Sequence, residues 1–91
     1  MPLYTFIMEY AGGTYISQVR AASPKAAVGR WARELPADEI RDFGPASQAR
    51  LVREVAEEVL TPVEGLSNVW CVATLIRGQL ALINFVHTAG S

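Results

Sequence analysis

The sequence predicts a single α+β domain over residues 1–91. The expected form is a four-stranded antiparallel sheet from two terminal hairpins, with two or three helices between them packed on one face (ββ-α-(α)-α-ββ). Three observations predict it. Residues 3–10 alternate strictly and run into a glycine pair, residues 24–60 repeat apolar side chains at three- and four-residue spacing, and two apolar stretches flank Arg77-Gly78. The pattern specifies neither the strand order nor the sheet face that the helices cover.

In the first stretch, Tyr4, Phe6, Met8 and Tyr10 fall on one side and Leu3, Thr5, Ile7 and Glu9 on the other. Gly12-Gly13 suits the positive φ values of a two-residue hairpin turn, and a second strand follows from Thr14 to Ala22. Pairing Ala11 with Thr14 then sets Tyr10 opposite Tyr15 and Phe6 opposite Val19. Ser23-Pro24 starts a helix, because serine caps free amides and proline at the first position has no N–H to leave unpaired. That helix is expected to run to about Leu35, where Pro36 stops it.

Asp38 to Phe43 suggests a short helical turn closed by Gly44-Pro45, and a second full helix is expected over about Ala46 to Leu60. Its apolar stripe reads as Val52, Val55 and Val59, with Ala49 and with Ala56 or Leu60. Thr61 to Asn68 reads as a loop. In the second hairpin Ile76 pairs with Gln79, which sets Leu75 against Leu80, Cys71 against Asn84 and Val69 against Val86.

Composition narrows the classes. The chain is 51% hydrophobic and only 19% charged, apolar enough to offset the ordering of its backbone, so disorder is excluded. One cysteine, Cys71, rules out an intrachain disulfide and fits a reducing compartment. The opening ten residues hold no Lys or Arg and no continuous apolar block, and no membrane-length apolar run occurs, so a cytoplasmic location without membrane contact is expected. Net charge is −1, which argues against nucleic acid, whose binders present a strongly basic face.

Both sides of the second hairpin are apolar, whereas a small antiparallel sheet normally wets one face. Two or three helices cannot cover both. The expectation is that another copy of the chain packs on the uncovered side, forming a homodimer or higher even oligomer. Trp70, Val72, Ile76, Ile83 and Phe85 are the candidate contacts.

Residues able to do chemistry are few. His87 is the sole histidine and Cys71 the sole thiol, so metal sets and nucleophile–base pairs have little to draw on. Glu54, Glu57 and Glu58 share one helical segment but read as a solvated face. Gly12-Gly13 lacks the lysine and the strand-to-helix setting of a phosphate loop. No catalytic residue, cofactor or metal is assigned. Tyr10, Tyr15, Arg20 and His87 are the polar residues to inspect for a pocket.

The hairpin from Tyr4 to Ala22 followed by Ser23-Pro24-Lys25-Ala26-Ala27 resembles the opening of the HicB-like antitoxin family over about a third of the chain. The family's C-terminal DNA-binding element is replaced here by an apolar hairpin. The resemblance implies a small regulatory protein that binds another protein. The leading expectation is a non-enzymatic homo-oligomeric binding or assembly module, with an antitoxin-like regulator and a small-molecule enzyme at a dimer interface as alternatives.

Overall fold

The computed structural model describes residues 1–90. Five strands and two α-helices follow one another as β1 (Leu3–Tyr10), β2 (Gly13–Arg20), α1 (Pro24–Glu34), α2 (Gly44–Glu57), β3 (Thr61–Pro62), β4 (Val69–Ile76) and β5 (Gln79–His87). A single 3-10 turn at Ala37–Glu39 links the helices. The α+β class stands, but the expected four-stranded sheet with two or three helices is corrected to five strands and two helices. The third helical segment is only that turn. The fifth strand is Thr61–Pro62, in the stretch read as a loop, where Thr61 lies opposite Cys71 and Pro62 opposite Trp70. Proline has no N–H to donate, so a strand containing it belongs at a sheet edge.

All pairings are antiparallel, in the order β2-β1-β5-β4-β3. The two hairpins therefore join through β1 and β5, with Phe6 opposite Phe85 and Met8 opposite Ile83. That register puts Tyr4, Phe6, Met8 and Tyr10 on the same side as Val72, Ile76, Ile83 and Phe85, and the helices close over this side. Phe6 lies between two rings, stacked on Trp31 at 5.0 Å and on Phe85 at 4.4 Å.

The first turn is Ala11-Gly12, one residue earlier than expected, and both residues have positive φ (50° and 79°). Tyr10 thus pairs with Gly13, and Met8 rather than Tyr10 faces Tyr15. The partners shift by two, which keeps every side chain on its expected face. Gly13 is needed for space: a Cβ there would sit 2.6 Å from the Tyr15 hydroxyl, because that ring lies over it. The second hairpin has the expected register, turning on Arg77-Gly78 with Ile76 opposite Gln79.

Ser23 caps α1 by accepting from the Ala26 amide. The antiparallel helices also cap each other. Gln48 of α2 donates its amide to the Leu35 and Ala32 carbonyls at the end of α1 (2.8 and 3.0 Å). Lys25 of α1 donates to the Glu58 and Val55 carbonyls at the end of α2 (2.6 and 3.0 Å). A cation and free carbonyls at a helix C-terminus are complementary, and α2 stops at Glu57, short of the expected Leu60. Its buried stripe is Ser47, Leu51 and Val55. Val59, expected on that stripe, lies beyond the helix and is 86% exposed. Neither helix is long and apolar enough to cross a membrane.

Candidate functional site

The structure separates the residues that the sequence grouped. Val72, Ile76, Ile83 and Phe85, expected on an uncovered face, are buried beneath the helices, and Trp70 is half-buried beside them, stacked on Phe85 at 5.3 Å. They belong to the core of one chain. Because residues alternate sides, the uncovered face is carried by their neighbours instead.

The four polar candidates do not converge. Tyr10 and His87 stand at opposite ends of the sheet, since His87 lies opposite Tyr4, six residues or roughly 20 Å along β1. Tyr15 accepts the Arg41 amide through its hydroxyl (3.2 Å), and Arg20 donates to the Met1 carbonyl (3.1 Å). The His87 ring rests 5.5 Å from that of Tyr4, and its Nε2 has no hydrogen-bond partner among the described residues. Among the described residues no three His, Cys, Asp or Glu side chains are grouped closely enough to hold a metal ion.

Tyr10 holds the fold together. Its hydroxyl donates to the Asp42 carbonyl at 2.8 Å, with the Ile76 carbonyl 3.1 Å away. Burial raises the phenol above its usual value of 10.0, Arg77 opposes that shift, and Asp42 adds to it. The folded chain therefore holds the neutral phenol more tightly than the unfolded chain does. Its contribution is complete below the unfolded value and is lost as pH rises through the higher folded value. Tyr10→Phe is expected to cost about 1–2 kcal/mol at pH 7 and to flatten the decline in stability expected of the native chain above about pH 10. Urea melts at pH 8 and pH 11 measure both; an unchanged decline in the variant would assign the alkaline loss elsewhere.

The open side of the sheet is the surface with unusual chemistry. Ile7, Ile16, Leu75, Leu80, Leu82 and Val86 all lie on it, with Ile16 67% exposed and Leu75 and Leu80 each 56% exposed. Leu75 and Leu80 are direct cross-strand partners. Asn84 stands in the middle strand of the five, in a row with Ile7, Ile16 and Cys71. None of the side-chain hydrogen bonds among the described residues involves its amide. The charges on this face are Glu9 and Arg20, at opposite ends of the first hairpin. Sequence patterning signalled an apolar surplus; it named the wrong side because the second hairpin is apolar on both.

No family model matches the chain, and neither a curated protein nor a solved structure is significantly similar to it.

Proposed function

We propose that the protein is a non-enzymatic homo-oligomeric assembly module, joined to a second copy of itself through the open face of its sheet. The observation that carries this reading is the run of leucine, isoleucine and valine, with Ile16, Leu75 and Leu80 exposed and the others half-buried, on a face that an antiparallel sheet normally gives to polar residues. Four strands of about eight residues, spaced about 4.8 Å apart, offer roughly 500 Å² per copy. Two copies would bury about 1,000 Å², the lower bound of a specific interface.

The polar groups favour a second copy over an unrelated apolar surface. A twofold axis across the strands turns the Arg20 end of one copy toward the Glu9 end of the other. Near the same axis the two Asn84 amides meet and can satisfy each other, and a central buried amide of this kind selects one register. Cys71, a free and half-buried thiol on this face, suits a reducing compartment.

Sedimentation equilibrium at micromolar concentration tests the reading. The expected mass is twice the 9.9 kDa of the chain. A monomer persisting at about 100 μM, a concentration at which even a weak specific dimer with a Kd near 10 μM is mostly formed, would overturn it.

A further inference from the structure

β2 is an outer strand of the sheet: it pairs with β1 on one side, and among the described residues no strand pairs with its other edge. A two-residue turn makes Tyr10 and Gly13 a hydrogen-bonded pair, so the alternation sends the N–H and C=O groups of Gly13, Tyr15, Ser17 and Val19 toward β1. Those of Thr14, Ile16 and Gln18 point outward. No hydrogen bond among the described residues occupies them. Exposed edges are usually blunted by proline, lysine, a bulge or a covering segment. Residues 14–18 contain neither proline nor charge, and their register is unbroken. The opposite edge, by contrast, carries Pro62.

Beside this edge the connection between the helices overhangs the sheet and leaves a pocket of about 250 Å³. Its walls are mainly Tyr15, Ser17, Leu35, Pro36 and Ile40, with Glu39 as its one ionisable group besides the tyrosine. The volume is below the ~300–1,000 Å³ of small-molecule sites and suits a single large side chain. Glu39 is exposed and belongs to neither of the ion pairs among the described residues.

We propose that β2 binds an extended segment of another protein as an added strand. One large apolar side chain of that segment fills the pocket, and a Lys or Arg two residues away, on the same side, meets Glu39. Outward backbone groups supply the affinity and the pocket supplies the selectivity, as in other strand-addition sites. A second copy of this chain fits the pocket poorly. The side chains that β2 turns toward the helices are Tyr15 and Val19, already packed in their own chain, and Ser17, which is too small. The outward backbone groups of this edge lie beside the open face and not on it, so they bind whether or not that face self-associates, although the Ile16 side chain belongs to the face.

The test is selection of a random seven-residue peptide library displayed on phage against the intact protein, followed by amide NMR with the most enriched peptide. Enriched sequences are expected to place a large apolar residue two positions from Lys or Arg, and the peptide is expected to shift and protect the Thr14, Ile16 and Gln18 amides. Ile16→Pro removes a donor at an exposed edge position and is expected to weaken binding about tenfold. Glu39→Lys, which leaves the backbone intact, is expected to weaken a basic peptide roughly threefold or more. Leu80→Lys, on the open face, should bind as the native chain does, which separates this site from self-assembly. Failure to enrich any sequence, or shifts confined to β4 and β5, would overturn the proposal. So would concentration-dependent protection of the Thr14, Ile16 and Gln18 amides without peptide in a variant with both Leu75 and Leu80 changed to lysine, whose open face no longer self-associates; that would give the edge to a second copy.

Discussion

Phe6→Ala is expected to remove about half or more of the folding stability at 25 °C. Phe6 is fully buried on β1, between β2 and the central strand β5, and stacks nearly parallel to both Trp31 and Phe85, at interplanar angles of 6° and 13°. It is thus the ring through which α1 meets both hairpins. Truncating such a side chain removes its burial and opens a cavity that its neighbours cannot collapse into, at a cost of about 3–5 kcal/mol. A domain of this length has roughly 5–9 kcal/mol in all, at about 0.05–0.1 kcal/mol per residue. A urea melt followed by tryptophan fluorescence is expected to show a midpoint reduced by half or more. Leu66→Ala, at a loop residue that is 59% exposed, is the reference, with an expected change below about 0.5 kcal/mol. Equal effects of the two substitutions would refute the central role of the ring stack.

The second large effect concerns assembly. Changing Leu75 and Leu80 together to lysine places four cations on a cross-strand pair from each of two copies, where half-exposed leucines stood. Self-association is expected to weaken at least about a hundredfold, or about 2.8 kcal/mol, with the monomer's melting little changed. The contrast with Phe85→Lys is diagnostic. Phe85 is completely buried under the helices, so a charge there should unfold the monomer rather than release it. Sedimentation and circular dichroism of both variants separate the two outcomes. Dissociation by Phe85→Lys in a folded chain, or none by the leucine pair, would return the interface to the residues expected from sequence.

Much of the fold was legible because its signals are local. Ser23-Pro24 marks the start of α1, and Arg77-Gly78 between two runs of apolar residues sets the register of the second hairpin. What was not legible is relational. The second hairpin is apolar on both sides, so nothing within it says which side faces inward; that is decided only when Phe6 lies opposite Phe85 across strands nearly eighty residues apart. The interface assignment inherited this ambiguity and took the buried half. β3 was missed because two residues, one of them proline, carry no period to detect. In α2 the phase was misjudged by one position, with Leu51 rather than Val52 at the centre of the stripe, and the strand-addition pocket depends on how the segment from Leu35 to Ile40 overhangs β2.

The pairing of β1 with β5 also governs the order of events during synthesis. Tyr4 and His87 are partners, so β1 has no neighbour on one side until β5, made nearly eighty residues later, has left the ribosome. Until then Phe6 and Met8 lack Phe85 and Ile83, and the helices have only half a sheet to pack on. Contacts so distant in sequence slow folding, because a long loop must close before it yields any stabilisation. A nascent chain arrested before residue 79 is therefore expected to be protease-sensitive and dependent on chaperones, and the pairing of β5 with β1, rather than formation of either hairpin, is the step that commits this domain to its fold.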